Sequence, residues 1–375
     1  MQMGQIKVNS AFDGGSIDIV DVSDCANLQF AIRADTNSHF RQWFYFELTH
    51  VINQPLNIVL GLKDTAYPEG WRDYNVVMSY DNCNWQRLKS NCDGEQLRFT
   101  LTPTEDQVYF AYFEPYTYAQ HLALIDYAAT FSQVQHRVLG CTLQKRNMDL
   151  LVVGNEAAQH KVWITARQHP GETMAEWFME GLIYKLVNEY DPVSCALLKD
   201  CVFYLVPNMN PDGACNGNLR VNSVGANLNR EWQTPTLEKS PEVYYVREHM
   251  QKTGVDMFFD IHGDEAIPYV FTAGCDENPS FSDKQRQAST KFSECLQGIT
   301  PDYQTQFGYG VGQFGSETMT MATNWVGDRF DCLAYTLEMP FKDNNDLPDA
   351  VHGFSGNRAA ALGESILTAL YSFFK

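Results

Sequence analysis

The sequence predicts an α/β protein in which an antiparallel β-sandwich precedes a mostly parallel, mixed sheet covered by helices. Up to about Pro115, apolar and polar residues alternate in short segments, which is the period of half-buried strands. After Tyr118, apolar segments are followed by segments with a repeat near 3.6 residues, the pattern of a sheet buried on both faces by helices. We therefore expect a sandwich domain over residues 1–117 and a larger α/β domain over residues 118–375.

The strands of the first part are separated by turn-forming sequence such as Asp13-Gly-Gly-Ser16. This succession of strands and turns is typical of an antiparallel sandwich. A structural role is the simplest interpretation of such a domain. Five segments show the alternation most clearly: 28–33, 43–48, 56–60, 97–101 and 108–113.

The second part contains apolar runs that predict strands at 161–166, 201–206, 255–261 and 333–338. A helix is expected to begin close to Glu172, because the apolar residues that follow fall on one helical stripe. Residues 359–374 predict a closing amphipathic helix. The stripe after Glu172 consists of Met174, Trp177, Phe178, Leu182, Leu186 and Val187.

Composition excludes several classes of partner. The formal net charge of −19 argues against a nucleic acid or an anionic membrane, which bind clustered Lys and Arg. No apolar run approaches the ~18 residues of a spanning helix, and the first residues lack the order of a signal peptide. Ten cysteines occur without a Cys-x-x-Cys pair, which favours reduced thiols and the cytoplasm. Cys83 and Cys92 could face each other in a hairpin, but two free thiols are the favoured interpretation.

An imidazole and a carboxylate stand three residues apart in His169-Pro-Gly-Glu172, between a predicted strand and a predicted helix. Catalytic zinc typically has three protein ligands, often two His and one Glu. His262, at the end of an apolar run, is the candidate for the second imidazole. His262-Gly-Asp-Glu265 repeats the same spacing, so Glu265 competes with Glu172. We favour Glu172, because a helix start is a more rigid platform than a loop.

Glu338 ends another predicted strand. In an open α/β sheet, ligands bind beyond the carboxyl ends of the strands, so His169, His262 and Glu338 are expected in one cleft. Zinc lowers the pKa of its water toward ~7, and an uncoordinated Glu338 could then take the proton. Each motif alone is weak, because a His-x-x-Glu spacing arises often by chance.

Several motifs occur in a fixed order along the chain, and together they are far more specific than any one. The motifs are His169-Pro-Gly-Glu172, Pro207-Asn-Met-Asn-Pro-Asp-Gly213, Gly217-Asn-Leu-Arg220, Gly225-Ala-Asn-Leu-Asn-Arg230, His262 and Thr336-Leu-Glu338. In this order they resemble the zinc metallocarboxypeptidases of the carboxypeptidase A superfamily, in their cytosolic carboxypeptidase branch. The front part resembles the small β-sandwich of that branch through 40–46 and 109–116. The resemblance implies an α/β/α carboxypeptidase-type catalytic domain over residues 118–375.

The resemblance also implies roles for single residues. His169, Glu172 and His262 match the ligands of one zinc ion, and Glu338 matches the general base. Arg220 matches the arginine that stabilises the oxyanion of the tetrahedral intermediate, a contribution typically worth a few kcal/mol of barrier. The implied activity is hydrolysis of the C-terminal peptide bond of a peptide or protein tail.

Asn229 and Arg230 match the pair that binds the terminal carboxylate of the substrate. A planar guanidinium can hold a carboxylate by two parallel hydrogen bonds, which an internal peptide bond cannot receive. Relatives in this branch often remove glutamates, so an acidic preference is a hypothesis, with Lys342 as the nearby cation that could favour it.

The sequence departs from the family pattern at several positions. Asn227 stands where the superfamily often has an aspartate that orients the first zinc His, and Asp260 is a possible replacement. Asp264 stands where many relatives have a further His. Tyr309 could match the mobile tyrosine of the pancreatic-type enzymes, although an ordinary loop aromatic is the favoured interpretation. Two alternatives stay open: a zinc amidohydrolase for small N-acyl amino acids, and a catalytically silent peptide-binding protein.

Overall fold

The structure, a computed structural model, describes residues 5–310 and 312–375. Its first part consists of two five-stranded sheets, ordered β1-β4-β10-β6-β7 and β2-β3-β5-β9-β8. The strands are β1 (Lys7–Asn9), β2 (Asp18–Asp21), β3 (Leu28–Ala31), β4 (Tyr45–Thr49), β5 (Leu56–Gly61), β6 (Val76–Ser79), β7 (Gln86–Leu88), β8 (Ser90–Cys92), β9 (Gln96–Leu101) and β10 (Gln107–Ala111).

The sandwich forms because alternate residues of its strands are apolar and turn inward. In β3, Leu28 and Phe30 are buried, whereas the residues between and after them are half-buried. Phe30 and Phe110 both contact the ring of Phe46 on β4, at centroid distances of 4.9 and 5.5 Å. One pair departs from the expected antiparallel arrangement, since β3 and β5 run parallel. The chain passes through β4 in the other sheet between them, which gives room for the crossover that a parallel pair requires.

The second part is built on a seven-stranded sheet with the order β11-β12-β14-β13-β15-β17-β16. The four strands β14-β13-β15-β17 are parallel, and the pairs toward both edges are antiparallel. The expected parallel arrangement therefore holds for the centre of the sheet. The strands are β11 (Val134–Cys141), β12 (Asn147–Val153), β13 (His160–Ala166), β14 (Cys201–Val206), β15 (Met257–Asp264), β16 (Phe271–Ala273) and β17 (Leu333–Pro340).

Helices cover both faces of this sheet, because its central strands are apolar on both sides. On β13, Val162 and Ile164 belong to the core that includes α2 and α8. Trp163, between them, belongs to the core that includes α5 and α7. The helices are α1 (Tyr118–Ala128), α2 (Met174–Leu186), α3 (Pro192–Asp200), α4 (Pro211–Asn216), α5 (Pro241–Thr253), α6 (Asp283–Gln297), α7 (Ala322–Phe330) and α8 (Gly356–Phe374).

Short 3₁₀ helices occupy Cys25–Asn27, Pro68–Trp71, Leu228–Arg230 and Gly315–Thr320. Among the described residues, none of the helices is long and apolar enough to cross a membrane. Cys83 and Cys92 are free thiols, in agreement with the favoured interpretation of the sequence.

Candidate metal and catalytic site

The parallel strands bring the candidate site residues together at one edge of the sheet. His262 on β15 is the register partner of Glu338 on β17, and partners in adjacent strands project to the same face. His169 follows the last residue of the neighbouring strand β13 by three positions. The three side chains therefore meet beyond the carboxyl ends of the central strands, as expected for this class of sheet.

The turn His169-Pro-Gly-Glu172 connects β13 to α2 and depends on its glycine. Gly171 donates its N–H to the Leu219 carbonyl oxygen at 2.8 Å. A Cβ at Gly171 would lie 2.9 Å from the Leu219 Cα atom, closer than a side chain can approach. This close contact places Glu172 two residues before α2 begins at Met174.

Three donor groups converge in the buried centre of the site. Glu172 Oε1 lies 2.6 Å from His169 Nδ1, and Glu172 Oε2 lies 2.7 Å from His262 Nδ1. The two Nδ1 atoms are 3.2 Å apart. One ligand atom from each residue lies within 4.8 Å of the others, so the three side chains could hold a single ion.

The opposite ring nitrogens are held by other side chains. His169 Nε2 lies 3.1 Å from Asn227 Oδ1, and His262 Nε2 lies 2.7 Å from Asp260 Oδ2. Because both partners are oxygen acceptors, each Nε2 can donate its proton there, which leaves the Nδ1 lone pair of each ring free to bind a metal ion in the centre. Asp260 is anchored in turn by the hydroxyl of Thr165 at 2.8 Å and by the amide of Gln168. Asp260 therefore orients the second imidazole, and Asn227 orients the first.

This donor set fits a zinc ion. With Nε2 as the protonated nitrogen, the two Nδ1 lone pairs and the Glu172 carboxylate form a group of acceptors, which repel one another unless a cation lies between them. Burial and the positive charge of Arg220 lower the pKa of His169 to about 4, so this imidazole is neutral at pH 7, as a metal ligand must be. Two His and one Glu are a usual set for catalytic zinc.

Glu265, the competing carboxylate, lies in the cleft but outside the donor set. Its side chain is buried, and Oε1 has no hydrogen-bond partner among the described residues. The two His-x-x-Glu motifs have the same spacing, but only in the first does the glutamate carboxylate contact the imidazole of its own motif. The Glu265 side chain instead packs beside the position of Gly70 in the sandwich domain.

Glu338 is a buried carboxyl next to the donor set. Oε1 accepts the hydroxyl of Tyr309 at 2.7 Å, whereas Oε2 is without a partner among the described residues. Burial raises its pKa well above the ordinary value, and the neighbouring Glu172 and Asp264 carboxylates add to this. A cation in the centre would favour the ionised form.

Tyr309 takes part in the same cleft. Its hydroxyl lies 3.1 Å from Asp264 Oδ2 in addition to its bond with Glu338. The interpretation of Tyr309 as an ordinary loop aromatic therefore understates its position. Only the fold could indicate this, because no spacing in the sequence links Tyr309 to strand β17.

The three remaining candidate residues line the cleft as well. The Arg220 guanidinium carbon lies 5.7 and 5.6 Å from the ring centroids of Phe40 and Tyr67. Arg230 donates Nε–H to Glu317 at 2.7 Å and a terminal N–H to the carbonyl oxygen of Asn229.

Asn229 is more constrained than the sequence suggested. Its Oδ1 accepts the N–H of Ala322 at 2.9 Å, and its Nδ2 lies 3.5 Å from His262 Nε2. Arg230 is therefore the freer member of the pair.

The cleft has a volume of about 700 Å³, and its lining carries six carboxyl groups and two guanidinium groups. Lys342 does not line it. The Lys342 ammonium donates to the carbonyl oxygen of Glu69 at 3.0 Å in an adjacent depression. The expectation that Lys342 supplies a cation to the cleft is wrong, because Lys342 lies two residues beyond the end of β17 and turns toward the sandwich domain.

The fold and this donor set define a class of protein, a metal-dependent hydrolase. Comparison with known families is more specific. Residues 122–355 match the zinc carboxypeptidase family, and residues 8–113 match the cytosolic carboxypeptidase N-terminal domain. The chain belongs to the zinc carboxypeptidase family and is a metallocarboxypeptidase.

Solved structures and named proteins agree with this assignment. A metallo-carboxypeptidase from Burkholderia cenocepacia is 44% identical, with a TM-score of 0.96 over 98% of this chain and 99% of that one. A metallo-carboxypeptidase from Pseudomonas aeruginosa is 42% identical, with a TM-score of 0.93 over 97% of this chain and 98% of that one. Cytosolic carboxypeptidase 6 from Caenorhabditis elegans is 29% identical over 99% of this chain and 88% of that protein.

The comparisons confirm the family resemblance, the fold class and the assignment as a hydrolase. They do not test the roles of single residues or the division of the chain after residue 117, which stay predictions. Membership of a carboxypeptidase family means that the substrates are peptides or proteins with a free C-terminus.

Proposed function

We propose that this protein removes the C-terminal residue of peptides or protein tails with one zinc ion held by His169, Glu172 and His262. The observation that carries the proposal is the convergence of two imidazole Nδ1 atoms on both oxygens of one carboxylate, at 2.6 and 2.7 Å. Among the described His, Cys, Asp and Glu side chains, only these three each offer a ligand atom within 4.8 Å of the others.

The residues around the donor set supply the remaining chemistry. Zinc, when bound, supplies Lewis acidity that makes water a nucleophile at neutral pH and polarises a carbonyl. Glu338 takes a proton from the attacking water through Oε2, which no described residue contacts by a hydrogen bond, and delivers it to the leaving amine. Arg220 donates hydrogen bonds to the carbonyl oxygen as negative charge develops there.

Arg230 binds the terminal carboxylate of the substrate, and Asn229 assists through its amide. The ion pair of Arg230 with the exposed Glu317 is weak, so a substrate carboxylate can replace it. This contact restricts cleavage to the last peptide bond, because an internal bond carries no charge.

The charge of the cleft bears on the preferred terminal side chain. Glutamate was the hypothesis drawn from the resemblance, but the lining includes two exposed carboxyl groups besides those at the donor set, and Lys342 lies elsewhere. The related Pseudomonas enzyme was solved with (2-guanidinoethylmercapto)succinic acid, a compound that bears a guanidino group. We therefore propose a preference for cationic over acidic terminal residues. Asp276 and Glu277 are the exposed acids of the lining that would attract them.

The activity is tested with peptides that differ only in the last residue, Lys, Leu or Glu, with and without a chelator. We expect zinc-dependent release of single C-terminal amino acids and no cleavage of C-terminally amidated peptides. Glu338→Gln should lower kcat by roughly 10²–10⁴-fold, whereas Glu364→Gln, on the exposed face of α8, should not. Hydrolysis of N-acyl amino acids but not of peptides would support the amidohydrolase alternative, and zinc-bound but inactive protein would support the silent one.

The side-chain preference has its own measurement, the ratio of kcat/KM for Lys- and Glu-terminated peptides at low salt. We expect this ratio to exceed one, to fall with salt and to fall in Asp276→Asn. A ratio below one would restore the acidic preference. We also propose a cytoplasmic location, supported by the free cysteines and by the name of the Caenorhabditis relative; cell fractionation tests it.

A further inference from the structure

A buried carboxylate of the sandwich domain holds the loop that carries Arg220. Asp35 Oδ1 accepts the N–H of Leu219 at 2.7 Å, and Asp35 Oδ2 accepts the N–H groups of Arg220 and Val221 at 2.7 and 3.2 Å. The side chain of Asp35 is 4% exposed. Three bonds from consecutive backbone groups to one charged acceptor fix the path of the loop, because charge-assisted bonds are stronger than neutral ones.

The residues next to Asp35 extend the contact along the loop. Thr36 donates its N–H and its hydroxyl to Asn218 Oδ1, both at 3.0 Å. Arg33 donates to the carbonyl oxygen of Asn216, and Asn37 donates to that of Ser223. Residues 33–37 therefore contact the segment 216–223 from its first residue to its last.

The guanidinium of Arg220 is also held by the sandwich domain. Its central carbon lies 5.7 Å from the ring centroid of Phe40 and 5.6 Å from that of Tyr67, within range of cation–π attraction. Such contacts are electrostatic and use no hydrogen bond of the guanidinium group. Its N–H donors therefore stay available to a substrate.

Holding Arg220 in this way has an energetic cost. Burial raises the pKa of Asp35 to about 6, although the three backbone bonds and the charge of Arg220 oppose the shift. A residue that served only to join the two domains would not require a buried charge, since apolar contacts join domains without one. The free-energy cost of burying the Asp35 carboxylate is explained if the reaction requires Arg220 in a fixed position.

We propose that the sandwich domain positions Arg220, with Asp35 fixing its backbone and Phe40 and Tyr67 fixing its guanidinium group. Asp35 is a positioning residue, since it acts through Arg220 and does not line the cleft. The inference rests on the proposed role of Arg220. Preorganisation matters because a flexible arginine would lose rotamer freedom in the transition state and give back part of its electrostatic stabilisation.

The test compares Asp35→Asn with Asp24→Asn in the full-length, zinc-loaded enzyme. Asp24 also accepts a backbone N–H, from Ala26 at 2.9 Å, but lies in the sandwich away from the cleft. We expect Asp35→Asn to lower kcat roughly 10- to 100-fold with KM changed less than about threefold, and Asp24→Asn to have no effect. Should Asp35→Asn fail to fold, Phe40→Leu removes an aromatic face without touching the buried carboxylate and should lower kcat several-fold.

A double-mutant cycle separates positioning from general destabilisation. In an Arg220→Lys background, Asp35→Asn or Phe40→Leu should cause little further loss of kcat, because the group they position is gone. A merely structural role would give the same fold-loss in both backgrounds, which would overturn the inference. If Arg220→Lys itself leaves kcat unchanged, the proposed role of Arg220 fails instead.

Amide hydrogen exchange gives a readout independent of activity. In Asp35→Asn the amides of 219–221 should exchange faster than in Asp24→Asn, with the sheet amides unchanged. Unchanged exchange at 219–221 would overturn the inference even if activity fell.

Discussion

Two single substitutions, Glu172→Gln and Glu265→Gln, test which of the two His-x-x-Glu carboxylates binds the metal. Both side chains are buried, and both follow a histidine by three residues. Glu172 contacts both imidazoles through its two oxygens at 2.6 and 2.7 Å, and Glu265 contacts neither. Glutamine preserves size and leaves one oxygen for the Gly263 N–H, which Glu172 accepts at 3.1 Å.

The expected magnitude follows from the number of ligands. Apparent zinc affinities of about 10–16 kcal/mol in structural zinc sites, shared over four ligands, give about 2.5–4 kcal/mol for each. Glu172→Gln should therefore raise the zinc Kd by roughly 10²–10³-fold. Glu265→Gln removes only longer-range attraction, which is screened, and should change Kd by less than about tenfold.

The assay is competition with a chromophoric chelator at a fixed pH, on protein whose fold is checked by circular dichroism and by thermal unfolding of the zinc-free form. Equal losses in the two variants, or a greater loss in Glu265→Gln, would refute the assignment of Glu172. An unchanged zinc affinity in both would refute the whole donor set.

Two further predictions concern stability. Burial raises the pKa of Glu242 to about 7 from about 4.3 in the unfolded chain. The contribution of Glu242 to the free energy of unfolding is therefore greatest below pH 4 and is lost as the pH rises through 7. The advantage of Glu242→Gln over the natural protein in free energy of unfolding should therefore grow by about 2.5 kcal/mol between pH 5 and pH 8; a constant difference in urea titrations would contradict this. At Gly181 on α2, a Cβ would lie 2.1 Å from the Ala360 carbonyl oxygen on α8, so Gly181→Ala should cost about 1–3 kcal/mol. Gly310→Ala is the control, because no described atom outside its chain neighbours lies within 4 Å of the added Cβ. It should change the free energy of unfolding by less than about 0.5 kcal/mol, and similar values for the two variants would contradict the tight helix crossing.

Much of the fold could be predicted because its signals are local. The apolar run 201–206 is strand β14 to the residue, and the stripe after Glu172 is helix α2. The antiparallel strands β11 and β12 were not predicted individually. β11 is largely exposed, so its apolar pattern is weak, and β12 is buried over six successive residues, so its pattern does not alternate.

The candidate site was predicted as a set of residues, but its internal contacts were not. Asp260 was considered as a partner for the first imidazole, and it holds the second, because it lies two residues before His262 on the same strand face. Lys342 was expected at the cleft and lies outside it. Both outcomes depend on the direction of a side chain at the end of a strand, which spacing alone does not fix.

The sequence by itself determined the kinds of groups available and their order. They are two imidazoles and two carboxylates at or just beyond the ends of apolar strands, and two arginines in the segment between the two histidines. These features follow from periodicity and from motifs a few residues long, where backbone geometry limits the possibilities. Only the tertiary structure placed Glu172 rather than Glu265 against the two imidazoles, brought Tyr309 to Glu338, and joined Asp35 to the backbone of Arg220. Those contacts link residues that are distant in the chain, and they exist because the strand order and the packing of two domains place separate segments against one another.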